Sequence, residues 1–304
     1  MTDMDERRHR SYHVGGRISR ERIARGAPDD HAALEAVERS DVVVVSDVYD
    51  HVEWVLDALD LPYTSVATGS VAGLRLHPGQ LLVVNCPGRV GPGGVEVIRR
   101  FVDRGGSLFT TDWALRNVVE PAFPGLVAFN ERPTADAVVR VEAADHDNPF
   151  LAGVMDPGDE PVWWLEGSSY PIRVLDPGRV QVLLRSAELG RRWGAEPVAV
   201  TFRHGEGEVF HMISHYYLQR TELRSRRHRA PAMAYAAEKG VDLDAASAAM
   251  AADLNLSEVE SASSSARMMA NLVAHKKRLE REKMASETGG SVAPGRHGGG
   301  EEEA

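Results

Sequence analysis

The first half of the chain alternates continuous apolar runs with segments whose apolar residues recur at helical spacing. Residues 41–47 contain four consecutive valines, a pattern typical of a strand buried on both faces of a parallel sheet. Residues 49–59 and 95–102 instead place their apolar side chains on one helical face. Shorter apolar runs predict further strands at 63–66, 81–85 and 107–111. The resulting order, β-α-β-β-α-β, indicates a sheet of parallel strands connected by helices.

The middle of the chain follows a different pattern. Short runs joined by Gly- and Pro-rich turns predict strands at 137–141, 180–184, 198–202 and 208–213, some of them antiparallel. A capping-box pattern over residues 257–260 begins a long amphipathic helix. We therefore expect a flavodoxin-like, doubly wound α/β fold, with a mostly parallel sheet, added antiparallel strands and helices on both faces. Such sheets bind ligands at the carboxyl ends of their strands.

The two ends of the chain differ from this central pattern. Residues 1–33 mix arginines with acids and show no sustained apolar period, which predicts a mobile charged arm. Residues 284–304 are rich in Gly, Ser and Glu and predict a disordered tail. Between them we expect one α/β domain over residues 34–283, with a helical insertion at 222–254.

Composition narrows the classes of partner and compartment. A formal net charge of -10 and a pI near 5.7 argue against a general affinity for nucleic acid. No apolar run reaches the roughly 20 residues that span a bilayer, and the amino terminus lacks the apolar stretch of a secretory signal. We expect a cytoplasmic protein that does not bind membranes. Cys86 is the only cysteine, which excludes an internal disulfide framework.

Polar residues with catalytic potential cluster at or just after the predicted strand ends. They are Asp47, Asp50, His51, Asp112 and His215. Carboxylates and imidazoles that meet at one edge of a sheet can bind a divalent cation, and a water bound to that cation can act as a nucleophile. Asp50 followed by Glu53 also resembles a helix-capping box, so both a capping role and a site role remain open for these residues.

Three stretches of the chain together resemble a known family. They are LLVVNCPGRVGPGG, GGSLFTTDWAL, and HGEGEVFHMISHYY followed by the helix SSARMMANLVA. In this order they resemble class I glutamine amidotransferase-like domains, in particular the trehalose-utilisation (ThuA-like) branch. The resemblance spans roughly residues 41–280. It implies a catalytic cysteine in the tight turn that follows the strand of the second stretch, and a histidine delivered by the strand of the third.

The chemistry implied by the resemblance is incomplete in this chain. The turn position of the catalytic cysteine falls at Asp112, and the histidine position falls at His215. The acidic residue expected two positions later is Tyr217. An aspartate cannot form the glutamyl thioester of the family. The resemblance also places the loop that carries Cys86, Gly88 and Arg89, and the residue Trp113, beside the same crevice.

These observations lead us to expect a catalytically degenerate amidotransferase-like protein that binds a small ligand or a protein partner. The predicted ligand-binding residues are Asp47, Asp50, His51, Cys86, Gly88, Arg89, Asp112, Trp113 and His215. Asp112, His215 and Cys86 are the catalytic candidates, and we expect Cys86 to be buried and inert. One alternative is a metal-assisted or acid-base hydrolase that uses Asp47, Asp112 and His215. Another is a scaffold that docks through its charged arms. The sequence identifies neither a cofactor nor an oligomeric state.

Overall fold

The computed structural model describes residues 3–216 and 221–289. The α-helices are α1 Asp3–Gly26, α2 Pro28–Glu35, α3 Val52–Ala58, α4 Gly91–Asp103, α5 Glu120–Ala122, α6 Ala187–Trp193, α7 Ala232–Glu238, α8 Ala245–Ala251 and α9 Leu256–Gly289. The strands are β1 Val42–Ser46, β2 Thr64–Ala67, β3 Leu81–Val84, β4 Ser107–Thr111, β5 Val127–Phe129, β6 Ala137–Arg140, β7 Glu142–Ala143, β8 Val162–Leu165, β9 Ile172–Val174, β10 Val180–Arg185, β11 Pro197–His204 and β12 Gly207–Met212.

An eight-stranded sheet forms the centre of the molecule, in the order β2-β1-β3-β4-β12-β11-β10-β7. The first five strands are parallel to one another, and β11, β10 and β7 extend the sheet with antiparallel pairings. The parallel part has the strand order 2-1-3-4-5 of flavodoxin-like folds. The predicted fold class is therefore confirmed, and it places the ends of β1, β3, β4 and β12 along one edge.

Close packing of the helices on this sheet depends on small residues at defined positions. Every residue of β4 is buried, and α4 packs over it through the buried side chain of Phe101. A Cβ atom at Gly106 would lie 2.3 Å from the Phe101 ring. Glycine at this position therefore lets α4 approach the start of β4, and any larger residue would push the helix away from the sheet.

The amino-terminal segment differs from the predicted mobile arm. Residues 3–26 form α1, which packs along α9 and buries Tyr12, Val14 and Ile18. A Cβ atom at Gly15 would lie 2.7 Å from the backbone nitrogen of Ser263. Gly15 and Ser19 of α1 therefore contact Ser263 of α9 directly, and an apolar period alone does not reveal such contacts. A scaffold that docks through a free amino-terminal arm does not match this packing.

The cap of α9 lies two residues before the predicted capping box. The Glu258 carboxylate accepts a hydrogen bond from the backbone N–H of Asn255, so the side-chain cap lies at residues 255–258. The predicted insertion contains α7 and α8, which pack with Val14 and Ile18. Helix α9 continues through residues 284–289, and the rest of the predicted tail lies outside the described residues.

Strands β5 and β9, and strands β6 and β8, form two small antiparallel sheets outside the central one. Strand β8 carries Trp163 and Trp164, both buried; their indole N–H groups donate to Ser264 Oγ and to the Asp136 carboxylate. None of the described helices combines the length and the apolar character that crossing a membrane requires.

Candidate functional site

Asp112 occupies a sharp turn directly after β4, where its backbone has φ 40°. Non-glycine residues rarely adopt positive φ, and such conformations cost on the order of 1–3 kcal/mol and cluster at functional sites. The backbone N–H donates to the Met212 carbonyl, which continues the pairing of β4 with β12. The buried carboxylate accepts hydrogen bonds from Ser169 Oγ at 2.8 Å and from the Tyr170 N–H at 2.7 Å.

His215 follows β12 and faces this carboxylate. Its Nε2 atom lies 3.3 Å from Oδ2 of Asp112, and both side chains are 1% exposed. The other ring nitrogen, Nδ1, lies 3.5 Å from Oε2 of Glu166. The structure therefore brings Asp112 and His215 together at the carboxyl edge of the sheet.

The carboxylates around His215 control its ionisation. Burial alone would lower the pKa of His215, but the contact with Asp112 and the negative charges of Asp50, Asp112 and Glu166 outweigh it and raise the pKa to about 8. Burial also raises the pKa of Glu166, an effect that the positive charge of His215 opposes. At neutral pH the imidazole is therefore largely protonated, and its positive charge lies among the surrounding carboxylates.

Cys86 is buried in the loop that follows β3, and its thiol is free. Its backbone N–H donates to Oγ1 of Thr111 at 3.1 Å. The Sγ atom, a carboxylate oxygen of Asp112 and a ring nitrogen of His215 all lie within 4.8 Å of one another. Burial, together with the negative charge of Asp112, raises the pKa of Cys86 above its ordinary value. The thiol therefore remains protonated at neutral pH.

Asp50 is fully buried beside the same group, but it does not cap α3. Helix α3 begins at Val52, and no side chain makes the cap hydrogen bond at its amino terminus. Oδ1 of Asp50 accepts hydrogen bonds from the backbone N–H groups of His51 and Tyr216. The carboxylate thus fixes the segment that carries His215, and its burial raises its own pKa.

Two of the predicted residues serve other contacts, and a third is exposed. Oδ1 of Asp47 accepts a hydrogen bond from the Val48 N–H, and the ring of His51 stacks on Trp54 at 5.1 Å. Arg89 is exposed. The predicted metal or acid-base group was Asp47, Asp112 and His215. In the structure, Cys86 and not Asp47 lies beside the other two.

Trp113 and Gly88 lie in the chain segments that carry Asp112 and Cys86. The indole N–H of Trp113 donates to the Ser168 carbonyl at 2.7 Å, and its ring contacts Tyr49 edge-on and stacks on Tyr170. Gly88 has φ 68°, and a Cβ there would lie 2.9 Å from the Ala114 side chain. The loop after β3 can therefore pack against the turn after β4 because residue 88 is glycine.

Sequence reasoning missed Glu166 and Ser169, which both contact the central pair. They lie in the loop after β8, and their partners are His215 and Asp112. One signal was present: Glu166 directly follows the apolar run VWWL, as a rim carboxylate would. The pairing of β8 with β6, which brings this loop over the sheet edge, has no local sequence pattern that predicts it.

Comparison with known proteins gives limited information about the family. No family model and no curated protein matches the chain. Similar solved structures include a GMP synthase-type protein from Thermoplasma acidophilum, with TM-score 0.47 and 12% identity over 80% of this chain and 96% of that one. For PurLQS from Thermotoga maritima the TM-score is 0.44 and the sequence identity 16%, with 58% of this chain and 86% of that one covered. For a β-galactosidase from Rahnella sp. R3 the TM-score is 0.43 and the sequence identity 17%, with 59% of this chain and 29% of that one covered. At these TM-scores the similarities do not establish a family.

Proposed function

We propose that this chain is a class I amidotransferase-like protein, of the ThuA-like branch, that does not hydrolyse glutamine and instead binds a small ligand at the carboxyl edge of its sheet. The observation that carries the proposal is Asp112, held at φ 40° in the turn after β4 and 3.3 Å from His215. In the family that the sequence resembles, this turn displays the cysteine nucleophile. A carboxylate there keeps the partnership with histidine but cannot form a thioester.

Cys86 does not supply the missing nucleophile in this proposal. Nucleophilic cysteines react as thiolates, and their microenvironments lower the thiol pKa. Burial and the charge of Asp112 act in the opposite direction on Cys86. In addition, His215 is held between Asp112 and Glu166, so its imidazole carries a proton and is not a ready base for the thiol.

The chemistry of the crevice favours a neutral or positively charged ligand. The side chain of Glu166 is 34% exposed, and it presents a carboxylate to solvent beside His215. The aromatic rings of Tyr49, Trp113 and Tyr170 contact one another beside it. Aromatic faces and carboxylates attract cations and the C–H faces of sugars, whereas an anionic ligand would meet like charge.

An assay of glutamate release from glutamine, with the wild type and Cys86→Ser, tests whether the chain lacks glutaminase activity. We expect both proteins to release glutamate at the background rate. Robust release by the wild type that disappears in Cys86→Ser would overturn the proposal, because the relocated thiol would then be the nucleophile.

Thermal unfolding with three probes tests the ligand class. A native-state ligand at a hundredfold excess over its dissociation constant stabilises by about 2.7 kcal/mol. We expect stabilisation by a diamine or a neutral monosaccharide, diminished in Glu166→Gln, and none by a dicarboxylate. The exposed variant Asp145→Asn is the matched control. Stabilisation by the dicarboxylate alone would contradict the predicted charge of the ligand.

A further inference from the structure

We propose that Cys86, Asp112 and His215 together bind one divalent cation of the zinc class. Sγ, a carboxylate oxygen and a ring nitrogen from these residues lie within 4.8 Å of one another, and each residue is buried. Sulfur, nitrogen and oxygen donors are the ligand atoms that zinc accepts, and catalytic zinc sites hold three protein ligands and keep one position open. The inference rests on the proposed function in one respect: the cation would lie beneath the same crevice.

The ligands are pre-positioned by three neighbouring strands of one sheet. Cys86 follows β3, Asp112 follows β4 and His215 follows β12, and these strands are adjacent and parallel. Zinc bonds of about 2.0–2.3 Å at tetrahedral angles place ligand atoms about 3.3–3.6 Å apart. The distance of 3.3 Å between His215 Nε2 and Asp112 Oδ2 already matches this spacing.

A second observation independently points to a cation at this position. Among the residues that the structure describes, none forms a hydrogen bond with Nε2 of His215, although the side chain is 1% exposed. Buried polar atoms are almost always paired. A cation on the side of Nε2 would satisfy that atom and would place positive charge among the carboxylates of Asp50, Asp112 and Glu166.

The surroundings also resemble the outer shell of a metal site. Ligating histidines usually present their second nitrogen to a carboxylate, and ligating carboxylates are themselves hydrogen-bonded. Glu166 lies 3.5 Å from Nδ1 of His215. Ser169 Oγ and the Tyr170 N–H donate to Asp112. These contacts fix the orientation of both ligands.

The donor set selects among metal ions. Magnesium and calcium take oxygen ligands, whereas one sulfur and one imidazole favour zinc and other borderline-soft ions. We therefore expect the site to bind Zn²⁺ or Co²⁺ and to show no binding of Mg²⁺ at the same concentrations.

Cobalt spectroscopy on the full chain tests the site directly, because Cys86 is the only cysteine. After chelation and reloading with one equivalent of Co²⁺, we expect a thiolate-to-cobalt charge-transfer band that is abolished by added Zn²⁺. The band should be missing in Cys86→Ser and retained in His146→Ala, which removes an exposed histidine. A folded wild type with no such band, or a band that persists in Cys86→Ser, would overturn the proposal.

Zinc titration calorimetry provides a measurement that does not depend on losing a ligand. Glu166→Gln keeps all three ligands, and loss of an outer-shell partner should weaken zinc binding by about 10- to 100-fold. Unchanged affinity in this variant, with folding verified by circular dichroism, would contradict the assigned outer shell. The glutamine assay on chelated protein is separate from both measurements, so failure of the metal site and failure of the proposed function are distinguishable.

Discussion

Nε2 of His215 lies 3.3 Å from the Asp112 carboxylate, and both side chains are almost completely withdrawn from solvent. The pKa of His215 is raised to about 8 because this contact and the neighbouring carboxylates outweigh burial. In chelated protein, Asp112→Asn removes one of these charges, so we expect the His215 pKa to fall towards or below 6.5. An NMR titration of the imidazole measures it, and Asp145→Asn should leave it unchanged. A His215 pKa unmoved by Asp112→Asn would contradict the contact.

The raised pKa of His215 makes the free energy of unfolding depend on pH. The folded-state pKa of about 8 exceeds the ordinary value of 6.5, so protonated His215 stabilises the fold fully below pH 6.5. That contribution is lost as the pH rises through 8, and one pKa unit corresponds to about 1.4 kcal/mol. We expect the free energy of unfolding of the chelated wild type to fall by about 2 kcal/mol across this window, and much less in Asp112→Asn.

The parallel part of the sheet could be predicted from sequence because its strands are short, buried on both faces and rich in β-branched residues. The pattern predicted Ser107–Thr111 with its observed bounds and β1 to within one residue at each end. The expectation that Asp112 and His215 lie close together came instead from the family resemblance, in which these two positions converge.

The remaining site contacts depend on pairings that leave no local pattern. Glu166 reaches His215 because β8 pairs with β6, far from the central strands in sequence. Asp50 and Glu53 have the spacing of a capping box, yet Asp50 binds the Tyr216 N–H from the other half of the chain. Hydrophobic periodicity shows which face of a segment is buried. It does not show which residue from a distant part of the chain will contact that face.

The packing of α1 on α9 leads to a prediction about glycine. A Cβ at Gly15 would lie 2.7 Å from the Ser263 nitrogen, whereas nothing lies within 4 Å of a Cβ at Gly26. Gly15→Ala should therefore destabilise the fold by about 1–3 kcal/mol through overpacking, despite the better helix propensity of alanine. Gly26→Ala should change stability little. Urea denaturation of both variants measures the difference.

Equal stabilities for the two alanine variants would mean that α1 does not lie against α9 in solution. A truncation provides an independent check. Removal of residues 1–30 would expose the partners of Tyr12, Ile18 and Ile23, which are buried. We expect the truncated chain to lose its cooperative unfolding transition, whereas an arm without packing contacts could be removed with no effect on the transition.

A network of buried charges joins α1, the loop before β8, and α7. The ammonium group of Lys239 donates to Asp156 and to both oxygens of Asp159, at 2.7 Å in each case. The side chains of Lys239 and Asp159 are 5% and 4% exposed. Asp156 has a second cation in Arg22 at 2.8 Å, but the other cation beside Asp159, Arg227, is 3.4 Å away. Asp159 therefore depends most on Lys239.

Lys239→Met keeps an unbranched apolar side chain and removes the charge, which leaves the buried Asp159 carboxylate with the Arg227 guanidinium, 3.4 Å away, as its cation. Breaking a buried pair on one side costs about 3–5 kcal/mol, so we expect a loss of about 3 kcal/mol in urea denaturation. Arg100→Met, which removes an exposed partner of Glu96, should cost less than about 1 kcal/mol. Adding Asp159→Asn to Lys239→Met removes the uncompensated charge and should restore part of the loss. If the double variant were no more stable than Lys239→Met, the cost would come from lost packing around Lys239 and not from the isolated carboxylate.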